Sequence, residues 1–193
     1  MTIAILASTS GSDLPAVFKL KTEGIDFFLI TNKPQCGALE KAKNAAVPTH
    51  IVEPTGKTRE AFDEEILKIL ETEKADFVFL IGYMRIVTGV LITPWKRKIF
   101  NIHPSLLPAF AGGMDTDVHA EVLKRGCKIT GATLHEVTEE VDSGPIVDQK
   151  SCRVEATDTP ETLKHKVQKL EQEMLVDCIR NLQKSPLVSV APF

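Results

Sequence analysis

The sequence predicts an α/β fold: a parallel sheet covered by helices, continuing into a mixed sheet and closed by a long C-terminal helix. Three observations predict it. In the first half, short apolar runs alternate with helical patterns, the order that builds a parallel sheet. Gly, Ser, Asp and Pro punctuate the junctions. In the second half, two longer strand patterns flank one turn and precede a single long, capped helical pattern.

Each element follows from local chemistry. Residues 3–7 are a continuous apolar run, read as a buried strand. Ser12 or Asp13 then caps a helix that tolerates Pro15 in its first turn. Residues 25–31 form the next strand, 37–46 an Ala/Lys/Glu-rich helix and 49–52 a short strand. Over 59–73, Phe62, Ile66, Leu67, Ile69 and Leu70 fall on one helical face. Residues 75–81 are a strongly apolar strand and 98–102 another, entered from the basic turn Lys96-Arg97-Lys98. A helix is predicted over 118–125. Strands over 129–137 and 146–154 are joined through Asp142-Ser143-Gly144-Pro145. Thr159 or Asp158 caps the last helix, with Pro160 at its first position, and it runs to about Gln183 before an irregular tail over 185–193. The repeated strand–helix units of the first half are Rossmann-like. With no repeats or linker, the 193 residues are expected to form one continuous domain, 1–193.

Composition narrows the function. A net charge of −3 argues against a nucleic-acid partner, which calls for a basic surplus. No apolar run approaches the length of a membrane span, and the apolar start lacks a basic leader, so no membrane partner is expected. Cys36, Cys127, Cys152 and Cys178 are scattered without a Cys-x-x-Cys pair, so neither a metal nor a redox pair is expected, and the chain is assigned to the reducing cytoplasm.

Three segments carry candidate chemistry. Ser8-Thr9-Ser10-Gly11-Ser12-Asp13 joins the first strand to the first helix, where backbone N–H groups and a helix start together suit a phosphate. The plain alternative is a tight turn with a hydroxyl cap. In Asn101-Ile102-His103-Pro104, strand alternation sends Asn101 and His103 to one face. An amide donor and an imidazole are thereby paired at a strand end, suited to oxyanion stabilisation and proton relay; a capped turn with a satisfied histidine is the competing account. Asp142, beside Gly144 and Pro145, can orient the imidazole of His103, or simply close an Asx-turn.

Taken together, Gly82-Tyr83-Met84-Arg85-Ile86, Asn101 to Pro108, and Gly131-x-Thr133-x-His135 with Asp142-x-Gly144-Pro145-Ile146-x-x-Gln149 resemble the signature of the folate-dependent formyltransferases, nearest the glycinamide ribonucleotide transformylase family. The resemblance spans nearly the whole chain. It implies the formyltransferase fold, with 1–100 as a phosphate-binding half and 101–193 as a catalytic and folate-binding half. It implies direct transfer of a formyl group from 10-formyltetrahydrofolate, as co-substrate and without a metal, to the amine of glycinamide ribonucleotide in purine biosynthesis. Asn101, His103 and Asp142 match the family's catalytic trio, with a protonated His103 and Asn101 at the oxyanion and His135 in support. Ser10, Gly11, Ser12 and Asp13 fall where the family holds the substrate phosphate, and Glu171 where a Glu meets the ribose. Met84, Arg85, Ile86 and Val87, with Asn101, Val137, Val141 and Asp142, fall along the folate pocket. The assembly is expected to be a monomer or homodimer.

The chain departs from the pattern at Ser8 to Asp13, where one Gly is lost and Asp13 replaces an amide. It departs again at Gln172, where His is usual, and in the 112–117 loop, which is longer than in many members. Asp13 would repel a phosphate unless it turns outward or caps the helix. The rival activities are hydrolysis of the formyl-folate, transfer to an initiator tRNA, and plain anion binding without catalysis. Relatives of the first two kinds usually carry an added domain.

Overall fold

The computed structural model describes residues 1–113 and 116–185. Contacts group the chain into two compact units: Met1–Asn101 with Val137–Glu139, and Ile102–Glu136 with the chain from Glu140 onward.

In the first unit, β1 (Thr2–Leu6), β2 (Asp26–Thr31), β3 (Thr49–Ile51), β4 (Phe77–Leu80) and the start of β5 (Ile99–His103) pair in parallel. Helices α1 (Leu14–Phe18), α2 (Gly37–Asn44), α3 (Arg59–Thr72) and α4 (Gly89–Ile92) connect them. A parallel strand covered on both faces reads as an unbroken apolar run. That is the character of β1, where Ile3, Ala4, Ile5 and Leu6 are wholly buried. Helix α3 starts where the Thr58 hydroxyl accepts the Ala61 N–H at 3.2 Å, and it buries Phe62, Ile66 and Leu70. Asp63 is buried on that same helix.

The second unit contains α5 (Thr116–Lys124), the antiparallel pair β6 (Ile129–Glu136) and β7 (Ile146–Arg153), and α6 (Pro160–Lys184). A capping box between Thr159 and Thr162, with Pro160 in the first turn, starts α6. The helix buries Leu163, Val167, Met174, Leu175, Ile179 and Leu182, with Glu171 in the same stripe. Strand order across the sheet is β3-β2-β1-β4-β5-β6-β7, a parallel sheet running on into a mixed one, as the sequence predicts.

The differences from expectation have local causes. The first helix is cut to five residues and gives way to a 3₁₀ turn over Lys19–Glu23, ended by Gly24 in the left-handed conformation. Helix α4 was not anticipated, because four residues are too few to show a helical period. Strand β5 runs through His103 rather than ending at Ile102. Lys96, Arg97 and Lys98 form an exposed turn ahead of it, as expected. No described helix is long and apolar enough to cross a membrane. The expected irregular tail lies outside the described residues beyond Ser185, as do Met114 and Asp115 of the 112–117 loop.

Candidate active site

The segments after β1 and β4 and the end of β5 carry candidate residues, and carboxyl ends of strands are where open α/β sheets bind ligands. In the first unit the loop after β1 is held by Ser8. Its N–H donates to the Gly82 carbonyl (3.0 Å), its hydroxyl donates to Asn32 Oδ1 (2.5 Å), and the same oxygen accepts the Met84 N–H (3.0 Å). One serine thus ties together the ends of β1, β2 and β4.

Ser10, Gly11, Ser12 and Asp13 follow as one turn. The Ser10 and Ser12 hydroxyls lie 3.0 Å apart, and Lys41 Nζ of α2 donates to the Ser10 carbonyl at 2.5 Å. Gly11 is required here: its φ is +63°, and a Cβ would come within 2.6 Å of Leu14 Cδ1 and 3.0 Å of Ala38 Cβ. Ser8, Thr9 and Ser10, with Lys33, Gln35 and Gly37, line an open cleft of about 690 Å³. Asp13 departs from expectation. It is the N-cap of α1 but takes a helical backbone conformation (φ −88°), makes no side-chain cap, and is only 8% exposed, so it neither caps the helix nor turns outward.

Met84 to Val87 form an irregular segment between β4 and α4. Val87 is buried and Ile86 is 49% exposed, while the Arg85 guanidinium lies 4.2 Å from the centre of the Phe62 ring. Val137 belongs to the first unit, where its N–H donates to the Ile99 carbonyl at 2.9 Å and its side chain packs on the core.

In the second unit the Asp142 carboxylate is a hub. Its Oδ2 lies 3.3 Å from His103 Nδ1 and accepts the Gly112 N–H at 2.8 Å, and its Oδ1 lies 3.5 Å from His135 Nε2. The other face of each ring also meets an acceptor: His103 Nε2 donates to the Phe110 carbonyl at 3.2 Å, and His135 Nδ1 to the Glu136 carbonyl at 2.9 Å. Asp142 holds φ = +55°, a left-handed conformation that Asp tolerates better than most residues and that often marks functional turns. The β6–β7 ladder shifts register here, Leu134 pairing with Asp148 but His135 with Ile146, which leaves one extra residue, Val147, on β7.

Burial raises the Asp142 carboxyl, but the His135 contact, the Gly112 N–H and the His103 charge outweigh it and leave the group below the usual carboxylate range. For His103 burial wins. It pulls the imidazole below its usual range despite the upward pull of Asp142 and the Phe110 carbonyl. The protonated His103 that the resemblance implies thus meets a burial cost, which the Asp142 carboxylate and the Phe110 carbonyl offset in part. With acceptors on both nitrogens, a neutral ring forfeits one hydrogen bond and a protonated ring makes both. Negative charge arriving nearby completes the set.

The loop leaving β5 is fixed by uncharged bonds. The Thr133 hydroxyl accepts the Leu107 N–H (3.0 Å) and the Gln149 amide (2.9 Å) and donates to the Ser105 carbonyl (2.7 Å). Gln149 also donates to the Leu107 carbonyl, and Ser105 Oγ to the Ala109 carbonyl. Gly131 is needed beside them, since a Cβ there would overlap the Lys150 carbonyl and come within 2.9 Å of Leu106 Cδ2.

Asn101 is half-buried on β5, one alternation from His103 and on the same face of the strand. Val141 is 47% exposed next to Asp142, and Glu171 is buried on α6. Sequence reasoning missed the Phe110 carbonyl, the Gly112 N–H and the work of Thr133 and Gln149. The spacing Gly131-x-Thr133-x-His135, which puts three functional positions on one strand face, was the available signal.

An imidazole–carboxylate pair at a strand end is suited to acyl transfer, and comparison with known proteins decides which kind. A family profile described as formyl transferase matches residues 1–179. This chain belongs to the formyl transferase family. The formyl transferase described here is 35% identical to the phosphoribosylglycinamide formyltransferase of Bacillus subtilis over 184 residues, covering 93% of each chain. It is 37% identical to the trifunctional purine biosynthetic protein adenosine-3 of Bos taurus over 183 residues, 92% of this chain but 18% of that protein. Among solved structures, phosphoribosylglycinamide formyltransferase from Bacillus halodurans superposes with a TM-score of 0.89 at 34% identity, covering 98% of this chain and 99% of that one. Formyl transferases use formyl-folate as co-substrate in general, and no cluster of metal-ligating side chains occurs among the described residues.

Proposed function

We propose that this chain transfers the formyl group of 10-formyltetrahydrofolate to the amine of glycinamide ribonucleotide, a step of purine biosynthesis. The observation that carries the reading is the Asp142 hub, which gathers His103, His135 and the Gly112 N–H behind the Asn101-x-His103 strand end. The similarity to phosphoribosylglycinamide formyltransferases along nearly the full chain supports it. The chain also corresponds to less than a fifth of the trifunctional relatives, whose other activities are not assigned to it. Four free cysteines support the cytoplasmic assignment.

The residues act as follows. The substrate amine attacks the formyl carbon, forming a C–N bond and an oxyanion. The Asn101 amide donates to that oxygen. His103, fixed by Asp142 through Nδ1, takes the amine proton through water, and its positive charge stabilises the oxyanion. The same proton then passes to the departing folate nitrogen as its C–N bond breaks. Ser10 and Ser12, with the backbone of Gly11 to Asp13 and Lys41 nearby, receive the phosphate, and Glu171 the ribose. Met84, Arg85, Ile86 and Val87, with Asn101, Val137, Val141 and Asp142, receive the folate.

The purified chain, given glycinamide ribonucleotide and a 10-formylfolate, is expected to release deformylated folate only when the amine is present. Release at an equal rate without the amine would instead identify a hydrolase, and no release at all a binding module.

The electrostatics predict the pH dependence. With burial holding His103 low, kcat/KM for the formyl donor at saturating amine should have its acid limb below the ordinary imidazole value of about 6.5. Asp142→Asn removes a group that raises the ring, so the limb should move lower still. A pH–rate series on both proteins tests this, and a limb above the ordinary value would mean that another group titrates.

A further inference from the structure

Two charged side chains interrupt otherwise apolar helix stripes, Glu171 on α6 and Asp63 on α3. The proposed chemistry uses the first and leaves the second without a role. Asp63 is 3% exposed, and one of its oxygens, Oδ2, accepts both the backbone N–H of Thr88 (2.6 Å) and the Thr88 hydroxyl (2.8 Å). Thr88 is the N-cap of α4, yet its hydroxyl makes no cap bond and is turned to Asp63 instead. The neighbouring residue on α3, Phe62, lies against the Arg85 guanidinium. Tyr83, buried and with no hydrogen-bond partner for its hydroxyl among the described residues, feels the charges of both Asp63 and Arg85.

We infer that Asp63 is a positioning residue for the formyl donor: from α3 it pins the far end of the 84–87 segment at Thr88, while Ser8 pins the near end at Met84, so that the exposed Ile86 and the backbone around it are presented in one conformation. This rests on the reading of 84–87 as folate-binding. An irregular segment without helix or strand bonds has little of its own to hold its shape, and ligand affinity suffers when a binding segment must be ordered on contact. Burial raises the Asp63 carboxyl more than Thr88 and Arg85 lower it. A carboxyl raised in the fold contributes stability at low pH that is lost as pH rises through its folded value, so near neutral pH its charge weakens the fold.

The test compares variants of the full chain by steady-state kinetics in both substrates and by thermal melting at pH 8. Asp63→Ala is expected to raise KM for the 10-formylfolate about tenfold, leaving KM for the amine and kcat within about twofold. Asp63→Asn keeps an acceptor for Thr88 and drops the charge, so it should hold the donor KM within about threefold of the unsubstituted protein and melt no lower. Should Asp63→Ala not fold, Thr88→Val removes one of the two bonds and should raise the donor KM alone, by about threefold. An unchanged donor KM in these variants, or a joint change in kcat and both KM values, overturns the inference. Ile86→Asp separates the two levels. If it leaves the donor KM unchanged, the folate reading of 84–87 fails and this inference with it; if it raises that KM while Asp63→Ala does not, only the positioning role of Asp63 is lost.

Discussion

His103→Ala is expected to lower kcat by ~100-fold or more in a protein that still folds, the scale of a lost proton relay or oxyanion donor. The geometry supports so large an effect. His103 shares a strand face with Asn101 and a carboxylate oxygen with the Gly112 N–H. Alanine leaves Asp142 with Gly112 and His135 as partners, so the carboxylate stays satisfied and the loss falls on chemistry more than on folding. Single-turnover rates and a melting curve on the same sample separate the two. Near-full turnover in a folded variant would remove His103 from the mechanism and leave Asn101 as the oxyanion donor.

Gly131→Ala is expected to have the largest effect on stability, about 3 kcal/mol, because the added methyl group has nowhere to go. Its nearest neighbour is the Lys150 carbonyl of the paired strand, a backbone atom that no rotamer change can move, and Leu106 closes the other side. Relief requires opening the β6–β7 ladder next to the Thr133–Gln149 bonds, so activity should fall along with stability. Denaturant unfolding measures the first, and a midpoint unchanged from that of the unsubstituted protein would show that the strands yield more easily than their packing suggests.

Much of this was legible in the sequence, because the strongest signals are local. The apolar run of β1, the amphipathic stripe of α3 and the Thr-Pro start of α6 each carry their structure within a few residues. The trio could be named only through the family resemblance: strand alternation pairs Asn101 with His103, and Gly144 and Pro145 announce a turn at Asp142, but those residue types alone left a capped turn and an Asx-turn open. What was not legible depends on backbone groups or on partners distant in sequence. No residue type signals that the Phe110 carbonyl and the Gly112 N–H complete the His103–Asp142 pair. Asp63 stands out in its stripe, but nothing in the sequence says that Thr88, twenty-five positions later, is what it holds. Asp13 was misread because the capping rule assumes an extended N-cap backbone, and this one is helical.

The neutral bonds around Thr133 also bear on ionic strength. Dissolved salt weakens attraction between exposed charges and leaves hydrogen bonds between uncharged groups nearly untouched. The bonds described from Ser105 to Ala109 are of the second kind, and the side chains of the His103–Asp142 pair are only 5% and 10% exposed. Concentrated electrolyte therefore weakens the exposed clasp of Lys150 on Glu173 and Asp177 more than it does the His103–Asp142 pair. In the proposed reaction the His103–Asp142 pair would feel salt least, and the encounter of a phosphorylated substrate with Ser10 and Ser12 would be the step that salt governs.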